Sequence, residues 1–398
     1  MDPKKLEIIK ATLPVVKEHG EAITKRFYKR MFENHPELKN IFNMAHQVTG
    51  HQPKALADAV YGAAANIEDF SQIMPVLERI SQKHRSLQIK LEQYPIVGEN
   101  LLGAIKEVLG DAATDEIMDA WADAYEVISD VFIRMENDLY KVTVAQPGGW
   151  AGFKDFVVDH KVEESDVITS FYLKPKDGGN IAEFTPGQYI TLKMEISEQQ
   201  FTNLRQYSLS DRPGLDYYRI SVRREDPRKE GQPPGVVSTY LHKHVNKGDT
   251  IPISAPAGDF YLDKDCKLPL VLISGGVGLT PLMSMLNTVT KEDSNREIYW
   301  IHATVNSKFH AFKKHVNDIA ASNKNVKTFF FYEKPTDEDK ESKSYDKEGY
   351  ITLDFLQKVL PSKQADFYFC GPEPFMRAVN RALKQWEIPE ERIHYEFF

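Results

Sequence analysis

The chain has little cysteine: Cys266 and Cys370 are its two thiols in 398 residues. Two thiols cannot build a disulfide framework or a cysteine-rich metal site. A basic surplus is also missing. Lys and Arg number 50 against 58 Asp and Glu, for a formal net charge of −8. A mildly acidic chain has no bulk attraction to phosphate backbones or anionic lipid, so nucleic acid is not an expected partner. No apolar signal core follows Met1, because Lys4, Lys5 and Glu7 interrupt it. One uncharged stretch, Leu268 to Leu286, nearly reaches the length of a membrane span. It carries Pro269, Pro281 and three glycines, which suit a buried strand, a glycine turn and a helix. A soluble, cytoplasmic protein without stable membrane insertion is expected. What is present is apolar surface for packed cores, 41% of residues against 27% charged, which excludes global disorder. Aromatics reach 11%, with 18 Tyr and 22 Phe, a surplus that either stacked planar cofactors or large cores account for.

The pattern changes twice along the chain. Up to about residue 140 there is no convincing period-two run. Leu6, Ile9, Leu13 and Val16 repeat at helical spacing, and Gly20 is expected to end that helix. A second helix is expected over Glu21–His35, and others near Ala55–Ile67, Ile73–His84, Tyr94–Leu109 and Thr114–Tyr140. Gln146-Pro147-Gly148-Gly149-Trp150 is a turn-rich break. Short strand patterns follow at Phe156–Val162, Ile168–Leu173, Tyr189–Met194, Tyr207–Ser210 and Tyr218–Val222, the spacing of a small antiparallel barrel. Arg223 to Pro234 reads as a solvated loop. Beyond about residue 265, apolar strands at Leu270–Ser274, Ile298–His302, Thr328–Tyr332 and Asp366–Phe369 alternate with helical stretches, as in a parallel α/β sheet. Lys334 to Lys347 is charge-rich and reads as a mobile loop. The expected architecture is an all-α domain over 1–145, an antiparallel β-barrel over 146–264 and an α/β nucleotide domain over 265–398.

Arg205-Gln206-Tyr207-Ser208 resembles the Arg-x-Tyr-Ser motif of the ferredoxin-reductase-like flavoproteins. An arginine there can clamp a pyrophosphate bidentately, the tyrosine can cover a flavin ring, and the serine can hydrogen-bond the ring's reactive edge. Pro186-Gly187-Gln188-Tyr189 stands at the strand entry expected in that family. Gly235-Val236-Val237-Ser238 precedes a helical stretch whose free amides suit a phosphate. Gly275-Gly276-Val277-Gly278-Leu279-Thr280-Pro281 follows a buried strand and opens a helix, a turn that lets backbone approach a pyrophosphate. By the same resemblance Cys370-Gly371-Pro372 would flank a nicotinamide. The end of the Ile298–His302 strand carries neither an acid for a ribose hydroxyl nor an arginine for a 2′-phosphate, leaving NADH against NADPH open. The closing Glu396-Phe397-Phe398 resembles the segment near the flavin ring in this family, whose members usually continue further.

The helical part resembles a globin. His84 ends an amphipathic segment and shares a face with Ile80 and Leu77. Phe27-Tyr28, Phe42 after Pro36, Gln52-Pro53 and Lys83-His84 follow the order of a globin haem pocket. Ile41-Phe42-Asn43-Met44, Gln82-Lys83-His84-Arg85 and Gln93-Tyr94-Pro95-Ile96-Val97-Gly98-Glu99 are similar to flavohaemoglobin sequence. A globin followed by an FAD barrel and an NAD(P) domain resembles a flavohaemoglobin over nearly the whole chain.

That resemblance implies a haem b held by His84, with Tyr94 and Glu136 as partners that raise the imidazole's basicity. It implies Tyr28 as a donor to dioxygen, Gln52 as a second distal polar group, Leu56 as bulk over the iron and Phe42 on the haem face. Gln52 is preferred to the neighbouring His51, because Gln52 and Leu56 share one helical face. Lys83 and Glu396 match positions that influence the haem and flavin potentials. The implied activity is nitric oxide dioxygenation. NAD(P)H would reduce FAD, FAD would pass electrons singly to haem, and NO with O2 would become nitrate. The chain is expected to work as a monomer on small molecules. A haem-based sensor and a plain flavin reductase are the competing classes.

Overall fold

The computed structural model describes residues 1–42, 51–227, 231–293 and 295–397, with backbone alone at His51 and Gln52. By internal contacts the chain forms two units, Met1–Phe153 with Thr191–Arg205, and Lys154–Ile190 with Gln206–Phe398.

The first unit is mainly helical. α1 spans Pro3–Asn34, opened by Asp2, whose carboxylate accepts from the Lys4 amide. It does not stop at Gly20 as the sequence suggests, and it also runs through Pro14. Its buried positions Ile9, Val16, Gly20, Ile23, Phe27 and Met31 keep one face continuous. A Cβ on Gly20 would lie 3.3 Å from that of Ala57. The glycine therefore serves a close helix approach and not a stop. α2 (His51–Ala65), α3 (Met74–Leu87), α4 (Gln93–Leu109) and α5 (Asp115–Ala145) follow. Asn43 and Met44 of the globin-like run lie outside the described residues.

Next come β1 (Phe153–Glu163), β2 (Ile168–Pro175), β3 (Tyr189–Met194), β4 (Asn203–Ser208) and β5 (Tyr218–Arg223), then α6 (Val236–His244) and β6 (Thr250–Ser254). The sheet order is β4-β3-β6-β1-β2-β5, and β1–β2 and β2–β5 pair antiparallel. An antiparallel bridge between Leu209 and Ile220 joins the chain beyond β4 to β5, which brings the two ends of the sheet order together as in a barrel. β4 begins four residues before the expected strand and ends at Ser208, so Arg205 to Ser208 all lie on the strand. β6 went unread because Pro252 and the preceding Lys-Gly-Asp mask its short alternation.

The second sheet contains β7 (Leu270–Gly275), β8 (Ile298–Thr304), β9 (Val326–Tyr332), β10 (Lys347–Glu348), β11 (Asp366–Gly371) and β12 (Ile393–Phe397), in the order β10-β9-β8-β7-β11-β12. Its neighbouring pairs are parallel. Strands covered on both faces read as unbroken apolar runs, and every residue of β7 and β11 is buried. α7 (Leu279–Glu292), α8 (Lys313–Ser322), α10 (Leu353–Val359) and α11 (Glu373–Gln385) connect the strands. The Lys334–Lys347 stretch is not a bare loop. It holds the short helix α9 (Asp337–Ser342), started by a reciprocal capping box between Thr336 and Asp339. The expected strand–turn–helix reading of Leu268–Leu286 is what β7 and α7 form. Among the described residues, no helix is long and apolar enough to cross a membrane.

Leu272 has no exposed surface and pairs with Trp300 and Tyr368 in the neighbouring strands. Leu272→Ala is expected to cost about 2–5 kcal/mol. It should lower the denaturant midpoint of this domain without changing the slope.

Candidate functional site

In the helical unit, one buried carboxylate gathers three helices. Glu136, on α5, is 4% exposed. Its Oε1 accepts from the Tyr94 hydroxyl at 2.6 Å and lies 2.7 Å from His84 Nδ1. The Tyr94 oxygen is itself 3.3 Å from that nitrogen. With the carboxylate ionised, Nδ1 is the protonated nitrogen, which leaves the Nε2 lone pair for another partner. Among the described residues nothing hydrogen-bonds Nε2, and the side chain keeps 32% of its surface exposed. Phe132 lies beside the ring at 5.9 Å. Burial, followed by the Glu136 charge, pushes the Tyr94 phenol well above its ordinary range, so it stays a donor. An imidazole whose Nδ1 is engaged by a carboxylate and a phenol, with Nε2 open, is the donor set a haem iron takes.

The sequence also points to an aromatic group on the same unit. Tyr28 is buried on α1, with the Phe42 ring 5.7 Å away, the Phe32 ring 5.9 Å away and the Phe27 ring 4.8 Å away. Leu56 on α2 packs against the same core, and Lys83 is exposed. The side chains of Gln52 and His51 lie outside the described residues.

On the barrel strand β4, Arg205 donates to the Leu204 carbonyl at 2.7 Å. Ser208 is 5% exposed, and its hydroxyl has no hydrogen-bond partner among the described residues. A buried orphan hydroxyl is costly unless something fills its valence, and a flavin edge fits that vacancy in chemistry. Tyr189 opens β3 and is buried. Ser238, by contrast, uses its hydroxyl locally, accepting from the Glu225 amide at 3.2 Å. Helix α6 begins at Gly235 with Val236 and Val237 in its first turn and no side-chain cap, leaving first-turn amides for an anion.

The Gly275–Gly278 turn is built for close backbone approach. Gly276 has φ +52°, and a Cβ on Gly278 would fall 2.2 Å from the Cys370 carbonyl oxygen. That contact places the turn against Cys370-Gly371 at the end of β11, with Pro372 capping α11. Leu279, Thr280 and Pro281 are all buried in the first turn of α7, which also lacks a side-chain cap. Cys370 pairs in register with Glu396 and donates its thiol to the Glu396 carbonyl at 3.2 Å. Burial, then the Glu396 charge, raises that thiol far above its ordinary value and makes it inert as a nucleophile. Phe397 is exposed at the end of β12, and Phe398 lies outside the described residues.

Sequence reasoning missed a buried polar chain below this turn. Ser274 Oγ lies 2.8 Å from His302 Nδ1, the His302 and His310 rings are 4.7 Å apart, and His310 Nδ1 lies 2.9 Å from the Tyr332 hydroxyl. Ser274, His302 and Tyr332 lie on β7, β8 and β9 and are aligned by the strand order, and His310 joins them from the turn after β8. Phe375 was missed too, although its ring underlies both Gly275 and Gly371.

Comparison with known proteins follows the same division. A Globin family model matches residues 25–132, an Oxidoreductase FAD-binding domain model matches 155–261, and an Oxidoreductase NAD-binding domain model matches 272–381. A Flavohemoprotein of Halalkalibacterium halodurans is 53% identical, covering 98% of this chain and 95% of the relative. The crystal structure of a flavohemoglobin from Malassezia yamatoensis with bound FAD and heme aligns at TM-score 0.86 and 27% identity, over 100% of this chain and 99% of that one. The flavohem-like FAD/NAD-binding domain of a nitric oxide dioxygenase from Vibrio cholerae aligns at TM-score 0.56 and 36% identity, over 62% of this chain and 98% of that one.

Burial lowers the His302 pKa from 6.5 to about 3. Between those values the unfolded chain binds a proton that the folded chain refuses, so this group destabilises the fold as pH falls below 6.5. The slope approaches about 1.4 kcal/mol per pH unit. Denaturant unfolding from pH 7 to pH 5 should show a shallower loss for His302→Gln than for the parent. Equal slopes would exclude a neutral buried His302.

Proposed function

The chain belongs to the flavohaemoglobin (flavohemoprotein) family, and on that premise we propose that it is a nitric oxide dioxygenase that detoxifies NO to nitrate. A haem b would supply the binding of O2 and the oxidation of NO by it, NO + O2 + e− giving nitrate, and FAD would relay that electron from NADH or NADPH. The domain limits in this reading are 1–145, 146–264 and 265–398. The observation that carries the reading is the His84–Glu136–Tyr94 cluster on a globin that shares its chain with a flavin reductase.

His84 would hold the iron through Nε2. Glu136 keeps the proton on Nδ1 and lends the imidazole anionic character, and Tyr94 fixes the carboxylate oxygen that does so. Greater donation to iron favours oxygen chemistry over simple carriage. Tyr28 would donate its phenolic O–H as a hydrogen bond toward the oxygen substrate, steadying negative charge that grows there. Phe42 and Leu56 exclude water on that side, and Gln52 adds a second polar group. Lys83 and Glu396 bias the haem and flavin potentials by their charge.

In the reductase part, Arg205 and the amides of Val236, Val237 and Ser238 would hold the FAD pyrophosphate, with Gly235 as the N-cap residue whose own amide donates to the Glu225 carbonyl at 2.8 Å. Tyr189, Gln206 and Tyr207 would line the flavin, and the Ser208 hydroxyl, which has no partner among the described residues, would hydrogen-bond its polar edge. The Gly275-Gly276-Val277-Gly278-Leu279-Thr280-Pro281 turn would take the NAD(P)H pyrophosphate, with Cys370, Gly371 and Pro372 beside the nicotinamide. Phe397 would shield the flavin, and the same role for Phe398 falls outside the described residues. The same reading makes the protein a cytoplasmic monomer.

The purified holoprotein should show a haem Soret band with flavin absorbance, and should turn NO into nitrate in oxygenated buffer with NADH. NO consumption no faster than that of a flavin reductase lacking haem would overturn the oxygenase assignment. His84→Ala should lose the Soret band, and Tyr28→Phe should lower NO turnover by about 100-fold while keeping that band.

A further inference from the structure

Three residues past Ser208, the barrel chain reaches Asp211, whose side chain is 14% exposed. Its carboxylate and carbonyl are used on every side. Oδ1 accepts from the Arg212 amide at 2.8 Å and from the Asn287 side-chain amide at 2.8 Å. Oδ2 accepts from the Tyr217 hydroxyl at 3.0 Å and lies 3.2 Å from Arg219 Nη1. The backbone carbonyl accepts from the Ser284 hydroxyl at 2.6 Å. Arg219, also buried, is held by Ser210 and lies 4.8 Å over the Phe312 ring.

The bonds fall into two sets. Arg212, Tyr217 and Arg219 belong to the barrel. Ser284 and Asn287 lie on the second and third turns of α7, the helix that begins at the Gly275–Gly278 turn. Asn287 also accepts from His315 Nε2 on α8 at 2.8 Å, which fixes the orientation of its amide. The strand carrying Tyr207 and Ser208 is thereby tied, a few residues on, to the helix carrying the dinucleotide turn.

Resting on the reading above that the barrel holds FAD and the α/β part holds NAD(P)H, we propose that Asp211, with Asn287 and Ser284, is a positioning hub that sets the flavin–nicotinamide geometry for hydride transfer. In that step NADH is oxidised to its cation and the flavin is reduced. The reacting atoms must sit about 3–3.5 Å apart, and a displacement near 1 Å costs about 100-fold in rate. One bond to the Asp211 carboxylate and one to its backbone carbonyl, on a residue that the barrel already orients, give such a constraint. Asp211 is given no part in holding either coenzyme. Its role is to fix the elements that do.

The test uses the full-length holoprotein. Asn287→Ala removes the amide that reaches Oδ1, Asn287→Asp puts a like charge there, and Ser284→Ala removes the second tie. Anaerobic stopped-flow reduction by NADH should show a limiting flavin-reduction rate lowered about 10- to 100-fold in Asn287→Ala and further in Asn287→Asp. The NADH dissociation constant from the same titration and the FAD content should stay at parent values. Amide exchange should rise together in residues 206–212 and 279–290, a readout independent of turnover. A parent-like limiting rate in both Asn287 variants, with exchange raised, would overturn the proposal, as would a change confined to NADH affinity. If an Asn287 variant loses FAD, Ser284→Ala decides by the same criteria. Failure of the underlying reading is separate, because the parent protein's flavin would then not be reduced by NADH at all.

Discussion

A buried carboxylate must find hydrogen-bond partners inside the fold. Glu136 meets that demand by drawing the Tyr94 hydroxyl and the His84 imidazole to the same oxygen. The three residues come from three helices, so satisfying one charge fixes the spacing of α3, α4 and α5. It also fixes the His84 tautomer. The helical packing and the electronics of the candidate iron ligand are therefore one constraint. Relaxing the packing would free the histidine, and neutralising the carboxylate would loosen the helices.

The α/β part obeys a constraint of another kind. Its turn exists because two stretches of backbone meet with no room for side chains, at Gly278 against the Cys370 carbonyl. Behind it, Ser274, His302, His310 and Tyr332 form a polar chain inside an otherwise apolar sheet. Burial holds both histidines neutral, and for His310 the neighbouring His302 adds to the effect. α7 begins at the Gly275–Gly278 turn and carries the Ser284 and Asn287 bonds to Asp211 along its length.

Much of the architecture was legible in the sequence, for identifiable reasons. The parallel strands were readable because their central members are buried on both faces and cannot hide a polar residue. The β4 motif was readable from Arg205 to Ser208, although its strand began earlier, at Asn203, where the polar Asn and Thr202 obscure the pattern. Gly20 misled because its local preference points to a helix end, while its packing against Ala57 requires the helix to continue. The Lys334–Lys347 stretch misled because its charges look solvated, yet Thr336 and Asp339 cap a helix there. The terminal strand β12 escaped because it is an edge strand with one partner and half-exposed side chains.

The sequence by itself determined the three kinds of module, their order and the residue types at each candidate site, because hydrophobic period and glycine placement are local properties. It determined the family resemblance for the same reason. Tertiary structure alone decided which groups meet. That Glu136 shares one oxygen between Tyr94 and His84, that Gly278 abuts Cys370, and that Asp211 reaches Asn287 are facts about residues 42 to 92 positions apart. No local pattern encodes such pairs, because the energy that selects them arises only when burial removes water and each polar group must find its partner inside the fold.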